Sequence, residues 1–296
     1  MSDILTLSAH GFDLKIAPAA GGGIARLDWQ GLPLLRRAVD GAVAARDPLG
    51  LSCFPMTPYV SRITNGVFTW GDVTTQIAPN MAGGRHPLHG IGWRKPWRVV
   101  SQTAQHIALM LDHTGDEDWP WAFKTHQDFT VYPDHFEHRL SVTSADPRLF
   151  PASLGPHPYF DAKDAMIHFE ADALWEVSGE SLPIRQAKPS VVDDLKRGVA
   201  ATCLDLDHCF EGWNGIAAIS WPSHALRIEA RCRIDGEDLA CSRLQLYTPQ
   251  GADFFCLEPV TARCVAFAEP DPARHGVVNL RDQTLEIATK IFPLKG

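Results

Sequence analysis

A histidine bracketed by prolines and a carboxylate set among apolar side chains are the two positions best equipped in this sequence to move protons. In Gly155-Pro156-His157-Pro158-Tyr159-Phe160 the second proline biases His157 toward extended backbone, and both rings stiffen the segment. Imidazole titrates nearest neutral pH, so a histidine held this way suits a general acid or base; a structural loop histidine fits the hexapeptide equally well. In Phe254-Phe255-Cys256-Leu257-Glu258-Pro259-Val260 the carboxylate interrupts an apolar run. Burial there would raise its pKa into the range of a useful base. The alternative is a strand-end glutamate facing water or a cation such as Arg263, but unpaired acids are seldom fully buried.

Other polar positions are less specific. Arg85-His86-Pro87-Leu88-His89-Gly90 spaces two histidines three apart. Pro87 breaks any helical presentation and no acidic residue lies between them, so no metal is expected. Asp207, in Asp205-Leu206-Asp207-His208-Cys209-Phe210, and Arg62, in Tyr59-Val60-Ser61-Arg62-Ile63, read singly as ion-pair members. The seven cysteines are an odd set without a CxxC pair, which argues against a disulfide framework or structural zinc. They are expected to be reduced and to act as small hydrophobes.

The elements that must hold these groups are strands. Leu226, Ile228, Ala230, Cys232 and Ile234 alternate with Arg227, Glu229, Arg231 and Arg233, the period of a strand with one wet face. Trp221-Pro222-Ser223-His224 supplies a turn to a partner strand over 216–220. Weaker alternation marks 107–112, 123–132, 136–143, 244–248 and 285–291. The best helix lies over 190–199, with Ser190 as its cap and Gly198 weakening its end. Twenty-two prolines and 23 glycines punctuate the chain at strand-length intervals, with no repeat or linker, so one all-β domain, a large β-sandwich, is expected.

Composition narrows the partners. Hydrophobic residues make up 45% and charged residues 21%, and the formal charge is -8, so nothing draws the chain to phosphate backbones or anionic membranes. No 18 consecutive apolar residues occur, and the first residues lack a basic stretch followed by an apolar run. A cytoplasmic protein with no nucleic-acid or membrane partner is expected.

Taken in chain order, Arg62-Ile63 shortly after Pro58-Tyr59, Leu88-His89-Gly90, His157-Pro158-Tyr159-Phe160, Asp207-x-x-Phe210, Gln245-x-Tyr247-Thr248 and Leu257-Glu258-Pro259 resemble the landmarks of the aldose 1-epimerase (galactose mutarotase) family. Each piece is weak, but their order and spacing over residues 59 to 259 are specific. The resemblance implies a galactose-mutarotase-like supersandwich, one domain over residues 1–296. It implies an isomerase that interconverts the α and β anomers of a free aldose, with no cofactor. It also implies His157 as general acid and Glu258 as base, with Arg62, His89, Asp207 and Gln245 on sugar hydroxyls or the ring oxygen and Tyr159 against the sugar. The expected partner is a small sugar, neutral or anionic, and the expected assembly a monomer or homodimer.

One departure is Ser61, where many members have asparagine; a hydroxyl is shorter and offers a different donor pattern, so recognition of one sugar hydroxyl is expected to differ. Arg94 and Lys95, close behind His89, could meet an anionic substituent, although a solvated strand face is their plainer reading. Two other functions compete. A glycoside hydrolase would pair Asp207 with Glu258 and leave His157 without a role. A non-catalytic sugar-binding or regulatory module would need neither His157 nor Glu258.

Overall fold

The alternation at 226–234 becomes the strand His224–Ile234, whose even-numbered side chains to Cys232 are buried. It is joined through the expected turn to Ile216–Trp221, with Trp221 level with His224. The other alternating stretches form strands at His106–His113, Phe123–Val131, Phe136–Ser144, Arg243–Thr248 and Thr284–Leu294. This computed structural model describes residues 4–294.

Two antiparallel sheets, of 11 and 10 strands, dominate the fold. Their facing surfaces meet where Ile24, Cys53, Phe160 and Leu257 of the larger sheet approach Phe136, His138, Ile228 and Ile291 of the smaller. This is the all-β sandwich read from the spacing of strands and turns.

The middle of the larger sheet matters most for chemistry. There Cys53–Met56, Gly155–Asp161, Phe254–Val260, Arg243–Thr248 and Leu206–Glu211 lie side by side in that order. Successive side chains of a strand point to opposite faces. Pro156, Pro158, Phe160, Leu257 and Pro259 therefore turn into the space between the sheets, and His157, Tyr159 and Glu258 turn away from it. Prolines suit this inward row because they fill space without needing a polar partner.

The helix is shorter than its sequence suggested. It spans Ser190–Leu195, with Pro189 in the cap position and no side-chain cap, so Ser190 is helical rather than capping. Gly198 takes the left-handed conformation at φ 94° and turns the chain, and Val199 and Ala200 pair with Ile167 and Met166 as a strand. A β-branched residue gains more from that ladder than from another helical turn. All seven cysteines are free, and Cys53, Cys209, Cys232, Cys256 and Cys264 are buried, as expected of small hydrophobes. No helix among the described residues is long and apolar enough to cross a membrane.

Candidate active site

His157 and Glu258 meet because their strands are neighbours in register. Tyr159 pairs with Cys256 across the ladder, and two further residues along, on the same face, His157 comes level with Glu258. The His157 Nε2 atom lies 3.3 Å from Glu258 Oε1. Both residues are nearly sealed from solvent, at 7% and 3% exposure, yet both line a cavity of about 430 Å³. That volume suits a small-molecule ligand.

Aromatic rings fix the imidazole. Phe54, opposite His157 on the adjacent strand, stacks on it at 4.3 Å, and Tyr159 stacks at 5.0 Å. Nδ1 of His157 is buried without a hydrogen-bond partner. Burial lowers the His157 pKa to about 3, with Arg36 and Arg62 adding smaller repulsion. Burial likewise pushes the Glu258 carboxyl well above its ordinary range; nearby Asp207 adds to this and Arg62 opposes it. Sequence reasoning expects a resting imidazolium and carboxylate. Desolvation penalises both of those charged forms.

Asp207 organises the far wall. Its Oδ1 accepts from Gln245 Nε2 at 2.7 Å, and its Oδ2 lies 3.3 Å from Arg62 Nη2. Gln245 sits opposite Glu258 on the adjacent strand and reaches diagonally to Asp207, which is level with Tyr247. The sheet thus brings Asp207, Gln245 and Glu258 together from three neighbouring strands.

Two loops lie over this face and lock each other. Thr57 bridges Gly90 and Arg62 bridges Leu88, and the His89 N–H donates to the Ser61 carbonyl. In return the Ser61 N–H donates to His89 Nδ1 at 3.1 Å, which leaves Nε2–H as that ring's donor. Ser61 and His89 both hold positive φ, 56° and 59°, an unfavourable conformation that such mutual bonding sustains. Burial, with His157 and Arg62 nearby, keeps His89 neutral by lowering its pKa well below 6.5.

All seven residues singled out from the sequence, His157, Glu258, Arg62, His89, Tyr159, Asp207 and Gln245, line the one cavity, as does Ser61. Arg94 and Lys95 do not. Arg94 donates to the Asn80 carbonyl, Lys95 pairs with Asp118, and both line a separate depression. Of the two histidines spaced three apart, each Nδ1 accepts a backbone N–H, from Asn65 for His86 and from Ser61 for His89. His157, Cys256 and Glu258 could in principle converge on a cation, their ligand atoms lying within 4.8 Å of one another. Burial raises the Cys256 thiol well above its ordinary value, which disfavours the thiolate a metal would need. Sequence reasoning did not assign Arg36, Leu49, Met81, Leu88, Tyr247 and Phe254, which complete the lining. Tyr247 lay inside a quoted motif; Arg36 had no motif to mark it.

A buried imidazole and a buried carboxyl in contact on the wall of a small cavity, carried by an antiparallel β-sandwich, define a small-molecule site with groups able to exchange protons. The aldose 1-epimerase family model matches residues 3–280, and the chain belongs to that family. It is 28% identical over 274 residues to the uncharacterised protein YphB of Escherichia coli K12, covering 87% of this chain and 88% of that one. Among solved structures, a candidate aldose 1-epimerase from Escherichia coli K12 superposes with a TM-score of 0.87 at 24% identity, covering 99% of both chains. Galactose 1-epimerase from Lactobacillus acidophilus superposes at 0.77 and 18% identity, covering 98% of this chain and 94% of that one. These structural likenesses establish a common fold.

Proposed function

We propose that this protein is a mutarotase, interconverting the α and β anomers of a free aldose, with His157 as general acid and Glu258 as general base. The observation that carries the reading is the 3.3 Å contact between two buried, oppositely titrating groups that line one cavity. Residues 1–296 act as one domain in the cytoplasm on a small sugar, with no nucleic-acid or membrane partner.

Ring opening removes the proton from the C1 hydroxyl and delivers another to the ring oxygen. Glu258 accepts the first and His157 gives the second, so an ion pair becomes a neutral pair as the aldehyde forms. Desolvation favours that change, because it penalises the charged forms of both groups. Rotation about the C1–C2 bond presents the other aldehyde face, and closure returns each proton along its own path. Arg62 lowers the Glu258 pKa and so supports the carboxylate that starts the cycle. His89 offers its Nε2–H to an oxygen gaining charge, while Asp207 and Gln245 fix hydroxyls.

Asp207 is committed to Gln245 and Arg62, which leaves Glu258 paired with histidine rather than with a second carboxylate. This favours proton exchange over glycoside cleavage. The test is magnetisation-transfer NMR of anomer exchange across a panel of aldoses. Glu258→Gln and His157→Asn should each lower kcat by about 10² to 10⁴ while keeping the wild-type fold by circular dichroism. Wild-type exchange no faster than buffer for every sugar, with sugar still bound, would make the protein a binding module.

A further inference from the structure

Arg36 is a cation that the proposed proton exchange does not use. Its backbone N–H donates to the Tyr159 carbonyl, next to the site strands. Nη2 donates to the carbonyls of Leu51, at 2.8 Å, and Leu49, at 3.2 Å, and the guanidinium carbon sits 4.2 Å over the Tyr159 ring and 5.0 Å from the Phe254 ring. These contacts fix a flat guanidinium in the cavity wall. They give it no counter-charge, since no carboxylate among the described residues lies within ion-pairing distance of it. Nε is buried and has no hydrogen-bond partner, and among the described residues Nη1 makes no hydrogen bond.

The other charges lining the cavity are spoken for. Arg62 pairs with Asp207, and burial draws Glu258 toward its neutral form. Arg36 is left as the cation of the lining without an ion-pair partner among the described residues, with Asp161 the carboxylate near enough to feel its charge. A partly desolvated cation with idle donors is costly to hold unless an anion completes it. Its side chain is held by Leu49, Leu51, Tyr159 and Phe254 rather than by His157 or Glu258, so it flanks the proposed acid–base pair. His157 and Arg36 both stack on Tyr159, at 5.0 and 4.2 Å, so the imidazole ring and guanidinium carbon are separated by no more than the sum of those distances. One sugar ring with its exocyclic group spans such a gap.

We infer that Arg36 is a specificity-determining residue and that the substrate is an aldose bearing an anionic group remote from C1. The inference rests on the mutarotase reading of the same cavity. A carboxylate and a phosphate share the required chemistry, since either accepts charge-assisted hydrogen bonds from a guanidinium.

The experiment measures anomer exchange for glucose and galactose, for glucuronate and galacturonate, and for glucose 6-phosphate, with wild type, Arg36→Met and Arg36→Lys. Wild type should favour an anionic sugar over its neutral parent by about tenfold or more in kcat/KM, mainly through KM, and the preference should shrink with added salt. Arg36→Met should cost the anionic sugar about tenfold more than the neutral one, and Arg36→Lys should restore part of the difference. Preference for the uronates or for the phosphate identifies the anion, and either supports the inference. Exchange that favours neutral sugars, or an Arg36→Met loss equal for both classes, overturns it and leaves the mutarotase reading standing. Absence of enzymatic exchange with every sugar removes both.

Discussion

His157 and Glu258 hold one proton between them whichever residue carries it, and this makes the pH dependence distinctive. A second proton must go onto an imidazole whose pKa burial has lowered to about 3. The only proton must leave a carboxyl whose pKa burial has raised well above 4.5. The one-proton state therefore extends well to the acid side of an ordinary histidine. The kcat/KM profile should be a broad plateau through neutrality, with its acid limb far below 6.5, as the titration of the pair rather than of either residue. A pH–rate profile with an acid midpoint near 6.5 would mean that His157 titrates alone and is not coupled to Glu258. The suspicious residues themselves were legible: two prolines around His157 and an apolar run around Glu258 mark them in the sequence. Their proton balance was not, because it depends on desolvation, a property of the surroundings.

At the scale of elements, strands position His157 and Glu258 and loops position Arg62 and His89 beside them. Gly90 joins the two overlying loops, with φ 69° and its α-carbon so close to Thr57 that an added Cβ would lie 2.2 Å from the Thr57 carbonyl oxygen. Both atoms belong to backbone, so neither yields without moving the loop that carries Arg62 or the one that carries His89. Gly90→Ala should cost more than about 1 kcal/mol of stability and lower kcat/KM together with it. Thermal unfolding and the exchange assay check this jointly, and wild-type values in both would show that the loops do not depend on their close approach. Strand periodicity in the sequence read well for the same reason that helix 190–195 read too long. Alternation reports which face is buried, whereas Val199 ends up in a ladder whose partner, Ile167, is remote in the chain.

Across the whole molecule, the two sheets enclose a polar group that also responds to pH. His138 is buried between them, stacks on Phe129 at 4.7 Å, and bonds Gln127 Oε1 through Nε2 at 3.0 Å. Burial lowers its pKa from 6.5 to about 3, so below 6.5 the unfolded chain takes up a proton that the folded one refuses. His138 thus contributes stability that is present above 6.5 and lost as pH falls toward 3; His157 acts in the same direction, and Glu258 in the opposite one above 4.5. Denaturant unfolding at stepped pH should show stability falling between pH 6.5 and 4, with a shallower fall in His138→Phe. Parallel slopes would mean that His138 is not held neutral. What the sequence determined by itself was local: alternation set the strands, turn residues spaced them, and the order of short motifs named the residues that line the site. The tertiary structure decided that Arg36 joins the cavity while Arg94 and Lys95 stay outside it, and that His157 and Glu258 meet away from water. Those outcomes depend on sheet register and on the exclusion of water, which arise only when strands distant in the chain are packed side by side.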